Sequence, residues 1–398
     1  MYLTISGFYN IYKDKLSLVC GQGGMTRRVG SAGILDYEFL PEVLGKYRHS
    51  NFQKDQLVIT TFLYARDNEF LIGDAVKNLI AKGVSGLVIK NVFRLPIHET
   101  VLRYADSKNF PIFVSDSAEL IFEDFIYDVT SSIRKMEALD FVQREIDATL
   151  AAETTEEEAY NHGLNLNPSL ENQHMVFYVP VDVEDPGFSY LRYAEAYQGS
   201  ALDRPEHLLT LYDGGFLFLY SWEKNPLKKE QIVSELEKLL GLDSQSAMGI
   251  SRTHYYLGEL KASIREALYS ARVAEDRALK DVPGSRRLFF GDLGSLRILF
   301  SYCYDSEMED FRRDIMDPLE VYDVENRGRL RETLFAYCEH DYSFPETARA
   351  LSQHVNTVRY RMDKVGEITG LSYKNPQEMQ QLDLAYKIGL CQELLENS

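Results

Sequence analysis

The chain has 398 residues, 45% of them hydrophobic and 26% charged, which suits a soluble protein of two or three domains that each bury a core. A formal net charge of -18 argues against a protein that coats nucleic acid indiscriminately, while leaving room for a local basic patch. Cys20, Cys303, Cys338 and Cys391 stand far apart with no C-x-x-C pair, so neither a zinc ribbon nor a disulfide framework is indicated and reduced thiols are expected.

The opening run MYLTISGFYNIYKDK has no basic region followed by a long apolar core, and no apolar run is long enough to span a bilayer. A cytoplasmic protein without a membrane partner is expected. The Gly21-Gln22-Gly23-Gly24 cluster lacks a Lys-Ser/Thr at phosphate-loop spacing, and reads as a glycine-rich hairpin turn with Arg27 and Arg28 on the returning strand.

Short β-rich runs follow at Leu57–Thr61, Gly86–Lys90 and Ile112–Ser115, separated by helical stretches with apolar faces at Ile72, Val76, Leu79 and Ile80 and at Val101, Leu102 and Ala105. Buried strands alternating with helices predict a parallel α/β domain, taken as residues 1–118. Ligands of such sheets settle beyond the carboxyl ends of the strands, which singles out Thr60 and Thr61 after one strand and Lys90 and Arg94 after the next. Hydroxyls and cations there suit a small polar or anionic effector. The structural alternative is that Thr60 and Thr61 cap a helix and Lys90 is solvated.

From Leu120 to about Leu150 the pattern turns helical, with Ile121, Phe125, Val129, Ile133 and Met136 at three- and four-residue steps. That narrow stripe predicts either a partner helix, hence a homodimer or higher homo-oligomer, or packing on the helix's own domain. The polar run AAETTEEEAYNHG reads as a linker, and residues 119–165 are taken as a helical connection. Over 166–292 the chain reads as an α+β domain: strand MVFYVPVD, a helix near Tyr190–Tyr197, the hairpin LLTLYDGGFLFLYSW turning at Asp213-Gly214-Gly215, a helix near Leu227–Leu240, AMGIS, the helix LKASIREALYSARVAEDRAL and the strand RRLFF.

Residues 293–398 read as all-helical. Ser343 and Glu346 stand at capping-box spacing with Pro345 in the first turn, and Ala348 and Leu351 face inward. Ser352, Gln353 and His354 form a turn, after which Val358, Met362 and Val365 make one buried stripe. This is the spacing of a helix-turn-helix, at about 343–370, with Gly370 as the stop and Asn375, Pro376 and Glu378 opening one more helix. The second helix of such a pair lies in the major groove, so His354, Asn356 and Thr357 are placed to read bases, and Arg359, Tyr360, Arg361 and Lys364 to hold phosphates. From Gln353 to Lys364 three cations face one acid, a basic patch in an acidic chain. The alternative is an ordinary solvated surface helix.

The run TARALSQHVNTVRYRMDKVGEITG resembles the C-terminal helix-turn-helix of the PucR/CdaR family of bacterial transcriptional regulators, through Thr347, Ala348, Leu351, His354, Asn356, Thr357, Tyr360 and Arg361. Two departures stand out: Gln353 sits where the family usually has a branched apolar residue, and Val355 where it often has Arg. Residues from about Val43 to Ile133 resemble the effector-sensing N-terminal domain of PucR-type regulators, and the order of elements over 166–292 resembles the degenerate GGDEF-like domain in their middle. An active cyclase of that class needs acids after the paired glycines, whereas here the hairpin reads Asp213-Gly214-Gly215-Phe216. No cyclase activity, no catalytic residue, no metal and no cofactor are therefore expected, and the eight histidines include no HExxH.

The resemblance implies a metabolite-responsive regulator of a catabolic or nitrogen/purine-related pathway that binds double-stranded operator DNA. A nucleotide-signalling enzyme or nucleotide-binding effector of the cyclase-like class is the competing expectation.

Overall fold

The computed structural model of the chain describes residues 2–36, 38, 52–183, 188–275 and 286–396. They fall into two compact units, Met1–Arg144 with Asp185–Glu195, and Glu145–Glu184 with Ala196–Ser398. The stretch 43–51 of the expected sensor domain, and the end of the expected helix at 276–279, lie outside the described residues.

The first unit opens with α1 (Ile5–Ile11), whose start is closed by the Thr4 hydroxyl accepting the Gly7 amide at 3.1 Å. Its sheet contains β1 (Ser17–Cys20), β2 (Ser31–Leu35), β3 (Gln56–Thr60), β4 (Gly86–Lys90) and β5 (Ile112–Ser115), in the order β1-β5-β4-β3-β2. The central strands read QLVIT, GLVIK and IFVS and are buried almost throughout, the pattern of parallel strands covered on both faces. Between them run α2 (Phe70–Ala81) and α3 (Glu99–Ser107), which bury Ile72, Ala75, Val76, Leu79 and Ala105. The expected parallel domain thus has one antiparallel member, since β1 pairs with β5 through Ser17↔Val114 and Leu18↔Phe113.

The glycine cluster is not a hairpin turn. Its flanking strands, β1 and β2, lie at opposite edges of the sheet, and Gln22–Gly24 forms a single 3-10 turn. A Cβ on Gly21 would stand 2.1 Å from the Phe110 carbonyl oxygen, and one on Gly24 2.1 Å from that of Asn109. The glycines let this segment press against the backbone entering β5, and Gly21 also requires its φ of +77°. Arg27, expected on a strand, instead donates to the carbonyls of Val84 and Lys108.

The long helix α4 (Phe122–Leu150) carries the apolar stripe, and the division between the units falls within it. Phe125, Val129, Ser132, Met136 and Leu139 are buried in this single chain, and Phe125 meets Phe8 edge-on at 5.6 Å. The amino-terminal part of the stripe therefore packs on its own domain, while Ile121 is 47% exposed. The polar run after it is helical from Glu156: α5 (Glu156–Leu166) starts there under a capping box of Thr155 and Glu158.

The second unit holds β6 (Gln173–Pro180), after which come α6 (Tyr190–Tyr197), across which the division between units also falls, β7 (His207–Tyr212), β8 (Gly215–Trp222), α7 (Lys229–Leu240), β9 (Met248–Ile250), α8 (Leu260–Glu275) and β10 (Arg287–Phe289). Its strand order is β10-β9-β6-β8-β7, with β6 antiparallel to both neighbours and β10 parallel to β9. Tyr212 pairs with Gly215, so Asp213 and Gly214 are a two-residue turn with φ of 45° and 69°, which requires Asp-Gly chemistry. The chain continues as α9 (Leu296–Tyr302), α10 (Ser306–Asn326), α11 (Leu330–Glu339), α12 (Phe344–Ala350), α13 (Val355–Thr369) and α14 (Pro376–Glu396). One apolar cluster joins Val273 of α8, Leu288 of β10, Leu299 of α9 and Ile388 of α14, so a continuous core runs across the expected boundary at 292/293. No helix among the described residues is long and apolar enough to cross a membrane.

Candidate nucleic-acid interface

The geometry starts from how α12 ends. The Gln353 amide donates to the Ala348 carbonyl at 2.9 Å and the Ser352 amide to that of Arg349 at 3.2 Å, the paired bonds that reverse a helix. Ser352 occupies the left-handed position of this turn at φ 53°, where glycine is usual. At the other end Ser343 Oγ accepts the Glu346 amide at 3.4 Å, but the Glu346 carboxylate pairs with Arg349 at 2.5 Å, so only half of the expected capping box forms.

Beyond the turn, His354 caps α13: its Nδ1 accepts the Asn356 amide at 3.2 Å. Val358, Met362 and Val365 are fully buried in one core with Ala348, Leu334, Met316 and Leu382, as the spacing predicts. Thr347 is buried too, its hydroxyl donating to the Ser343 carbonyl at 2.8 Å. The α11–α12–α13 crossing is thus fixed from inside, and Gly370 stops α13 at φ 73°.

The outward row of α13 is most open at its amino-terminal end. His354, Asn356, Arg359 and Tyr360 are exposed, Tyr360 by 66%, and Thr357 is half-buried beside them. The Arg359 guanidinium lies over the Phe344 ring at 5.2 Å and has no carboxylate within 4.0 Å among the described residues. Phe344 is itself held by Tyr337 and Tyr373 at 4.8 and 5.3 Å, so the cation is aimed by an aromatic bracket. Lys364 is tied to Glu367 at 2.7 Å. Arg361 is turned differently, donating to Thr333 Oγ1 on α11 at 3.2 Å, which braces α13 against the helix behind it. Asp363, the one acid of the patch, is held below the usual carboxylate range by the Lys374 ammonium at 2.7 Å. Nothing in the helical spacing marks Lys374, which lies past the stop of α13 at Gly370. The solvent face around Asn356 therefore presents an amide, an imidazole, a phenol and an uncommitted guanidinium, the donor and acceptor set that base edges and phosphates require.

The other predicted residues sit at the carboxyl end of the first unit's sheet. Thr60 is fully buried and its hydroxyl accepts the Phe62 amide at 2.9 Å, so it closes the turn after β3 and is not open to an effector, nor does it cap a helix, since the 3-10 turn Leu63–Ala65 has no side-chain cap. Thr61 is half-buried next to it. Lys90 ends β4 and reaches the Ala118 carbonyl at 3.4 Å, and Arg94 is exposed at φ 49°. The same end of the sheet carries Asn91, which donates to Asp116 at 2.9 Å. A groove of about 500 Å³ in this unit lies elsewhere, between α2 and α3, lined by Phe70, His98 and Tyr104 among others. In the second unit, Asp213 pairs with Arg272 at 3.3 Å, and no group of three or more His, Cys, Asp or Glu among the described residues could hold a metal ion.

The α12–α13 pair has the geometry of a helix-turn-helix, the class of DNA-reading domain that inserts its second helix into the major groove. Residues 330–388 match the family model of the PucR C-terminal helix-turn-helix domain, and residues 10–133 that of the Purine catabolism regulatory protein-like family. Among curated proteins the chain is similar to the Carbohydrate diacid regulator of Escherichia coli (strain K12), 27% identical over 156 residues, 39% of this chain and 38% of that protein. It is also similar to the Transcriptional activator PmfR of Paenarthrobacter nicotinovorans, 40% identical over 58 residues, 15% of this chain and 12% of that protein. The matched segments thus cover well under half of either relative. A solved structure, the Regulator of Polyketide Synthase Expression from Bifidobacterium adolescentis, aligns over 64% of this chain and 99% of its own at 17% identity, with a TM-score of 0.31.

Proposed function

We propose that this chain is a DNA-binding transcriptional regulator whose activity answers to a small metabolite. The observation that carries the reading is the exposed amino-terminal face of α13, with Asn356, Arg359 and Tyr360 outward over an anchored apolar stripe, in a segment matched by a helix-turn-helix family model. The names of both curated relatives, a regulator and a transcriptional activator, support the same reading. The first unit, matched by a purine-catabolism regulator family, is the proposed sensor, with Thr61, Lys90 and Arg94 at the strand ends as the polar groups facing an anionic or polar effector. Two copies would read two half-sites about one helical turn apart.

The middle sheet, with its β7–β8 hairpin turning at Asp213-Gly214, supports a GGDEF-like architecture without the cyclase's metal-holding acids, because Phe216 and Leu217 follow the paired glycines and Asp213 before them is engaged by Arg272. The test is a gel-shift titration of the full chain on duplex from upstream of its own gene against unrelated duplex of equal length. Preference for the upstream DNA is expected. Equal affinity for both duplexes, or guanylate product formed from GTP and magnesium, would favour the enzyme reading.

A further inference from the structure

A cavity of about 630 Å³ opens in the second unit between the start of α5, the loop after β9, α8 and α9. Four cations line it: Arg252, Lys261, Arg265 and Arg297. Three carboxylates line it as well, but two are engaged. Glu266 is buried and takes Arg252 Nε at 2.9 Å and His254 Nε2 at 3.2 Å, and Glu259 lies 3.5 Å from His254 Nδ1. Glu156 sits in the first turn of α5. Lys261 is also committed, its ammonium donating to the carbonyls of Ala151 and Ala152 at 2.6 and 2.9 Å, where it closes the carboxyl end of α4.

Arg265 and Arg297 remain. Arg265 gives one donor to the Leu150 carbonyl at 2.9 Å, and among the described residues no carboxylate lies within 4.0 Å of either guanidinium. Arg297 holds its guanidinium over the Phe290 ring at 5.9 Å, makes one long contact of 3.5 Å to the Gly291 carbonyl, and keeps a buried Nε–H with no acceptor among the described residues. A buried guanidinium donor without an acceptor is uncommon in folded proteins. Beside it stand apolar surfaces that a ligand would cover: Ile298, 62% exposed on α9, with the buried Phe290 and half-buried Tyr269.

We propose that this cavity binds a small, multiply charged organic anion, its carboxylate or phosphate oxygens paired with Arg265 and Arg297 and its body against Ile298, Phe290 and Tyr269. The volume lies in the range of small-molecule sites, and two guanidinium forks match planar oxyanions. Such a ligand ties α8 to α9, the first helix of the helical end that carries α13. The site differs from the strand-end sensor, and it stands apart from the DNA-binding reading because it is tested without DNA.

The experiment is isothermal titration calorimetry on the full chain at fixed ionic strength, with sodium pyrophosphate and sodium succinate as separate probes. Saturable binding of one ligand per chain is expected for at least one probe, pyrophosphate alone marking a phosphate ligand and succinate alone a carboxylate ligand. Arg265→Ala and Arg297→Ala should each weaken it about tenfold or more. Ala262→Glu, which adds a carboxylate to the lining from an exposed helical position, should weaken it without disturbing the fold, while Lys77→Ala on the first unit should leave it unchanged. Absence of saturable binding by both probes, or equal binding by wild type and Ala262→Glu, would overturn the proposal.

Discussion

Nδ1 of His354 accepts the backbone amide of Asn356 at 3.2 Å, so the recognition helix is closed by an imidazole where a hydroxyl or carboxylate is more usual. A ring that accepts through Nδ1 carries its proton on Nε2, and the exposed side chain offers that N–H outward. His354→Ala should cost about 0.5–2 kcal/mol of stability, and His354→Asn, which can cap in the same way, should retain most of it. Urea unfolding of the three proteins measures the difference.

Ser352 turns the chain between α12 and α13 at φ 53°, a conformation that disfavours any residue with a Cβ. Ser352→Gly should stabilise the fold by roughly 0.5–1 kcal/mol, the relief of strain outweighing the entropy that glycine adds to the unfolded chain. A rise in the urea midpoint at unchanged slope is the expected readout.

The two glycines of the β7–β8 hairpin should respond differently to alanine. Gly214 has open space around its missing Cβ and a φ of 69°, so Gly214→Ala should cost about 1 kcal/mol from backbone strain alone. A Cβ on Gly215 would stand 2.5 Å from the Tyr178 ring and 2.6 Å from the Val179 carbonyl oxygen, which belongs to a paired central strand. Gly215→Ala should therefore cost more, on the order of 2–3 kcal/mol, by forcing β6 and β8 apart. Thermal unfolding of both variants gives the order.

Burial holds the His174 imidazole down to about 4, below its ordinary 6.5. The neutral ring donates from Nδ1 to the Asn172 carbonyl at 2.9 Å, faces the Ser263 hydroxyl from Nε2 at 3.0 Å, and stacks on His254 at 5.5 Å. Between pH 6.5 and 4 the unfolded chain takes a proton that the folded chain refuses, so stability is lost as pH falls through this window. The loss from this one fully buried residue should be on the order of 3 kcal/mol, and His207, also lowered by burial, contributes with the same sign. His174→Gln should flatten the dependence of the urea midpoint on pH between 4 and 6.5.

Much of this architecture was legible in the chain because burial and periodicity coincide there. LVITT, GLVIK and IFVS read as buried strands and lie within one residue of where the strands stand, and Val358, Met362 and Val365 fall on one helical stripe that the core then claims. What stayed hidden depends on long-range partners. β1 is only four residues long and none of them is buried, and it pairs because β5 offers an edge. The glycines at 21–24 looked like a turn, since a close approach to a backbone 85 or more residues away leaves no local mark. The start of α5 was concealed by its acidic composition, although Thr155 and Glu158 already stood at capping-box spacing. At the reading head, direction failed where a side chain is long: nothing in the spacing says that Arg361 reaches back to Thr333 while its neighbour Arg359 stacks outward on Phe344.

The central claim is tested most directly by fluorescence anisotropy of operator duplex and scrambled duplex across a salt series, with wild type, Asn356→Ala and Arg359→Ala. Asn356→Ala should erode discrimination between the two duplexes by about 1–3 kcal/mol, and Arg359→Ala should weaken both equally while reducing the slope against log salt by about 1. If all three proteins bind both duplexes with the same affinity and the same salt slope, the outward face of α13 does not read DNA.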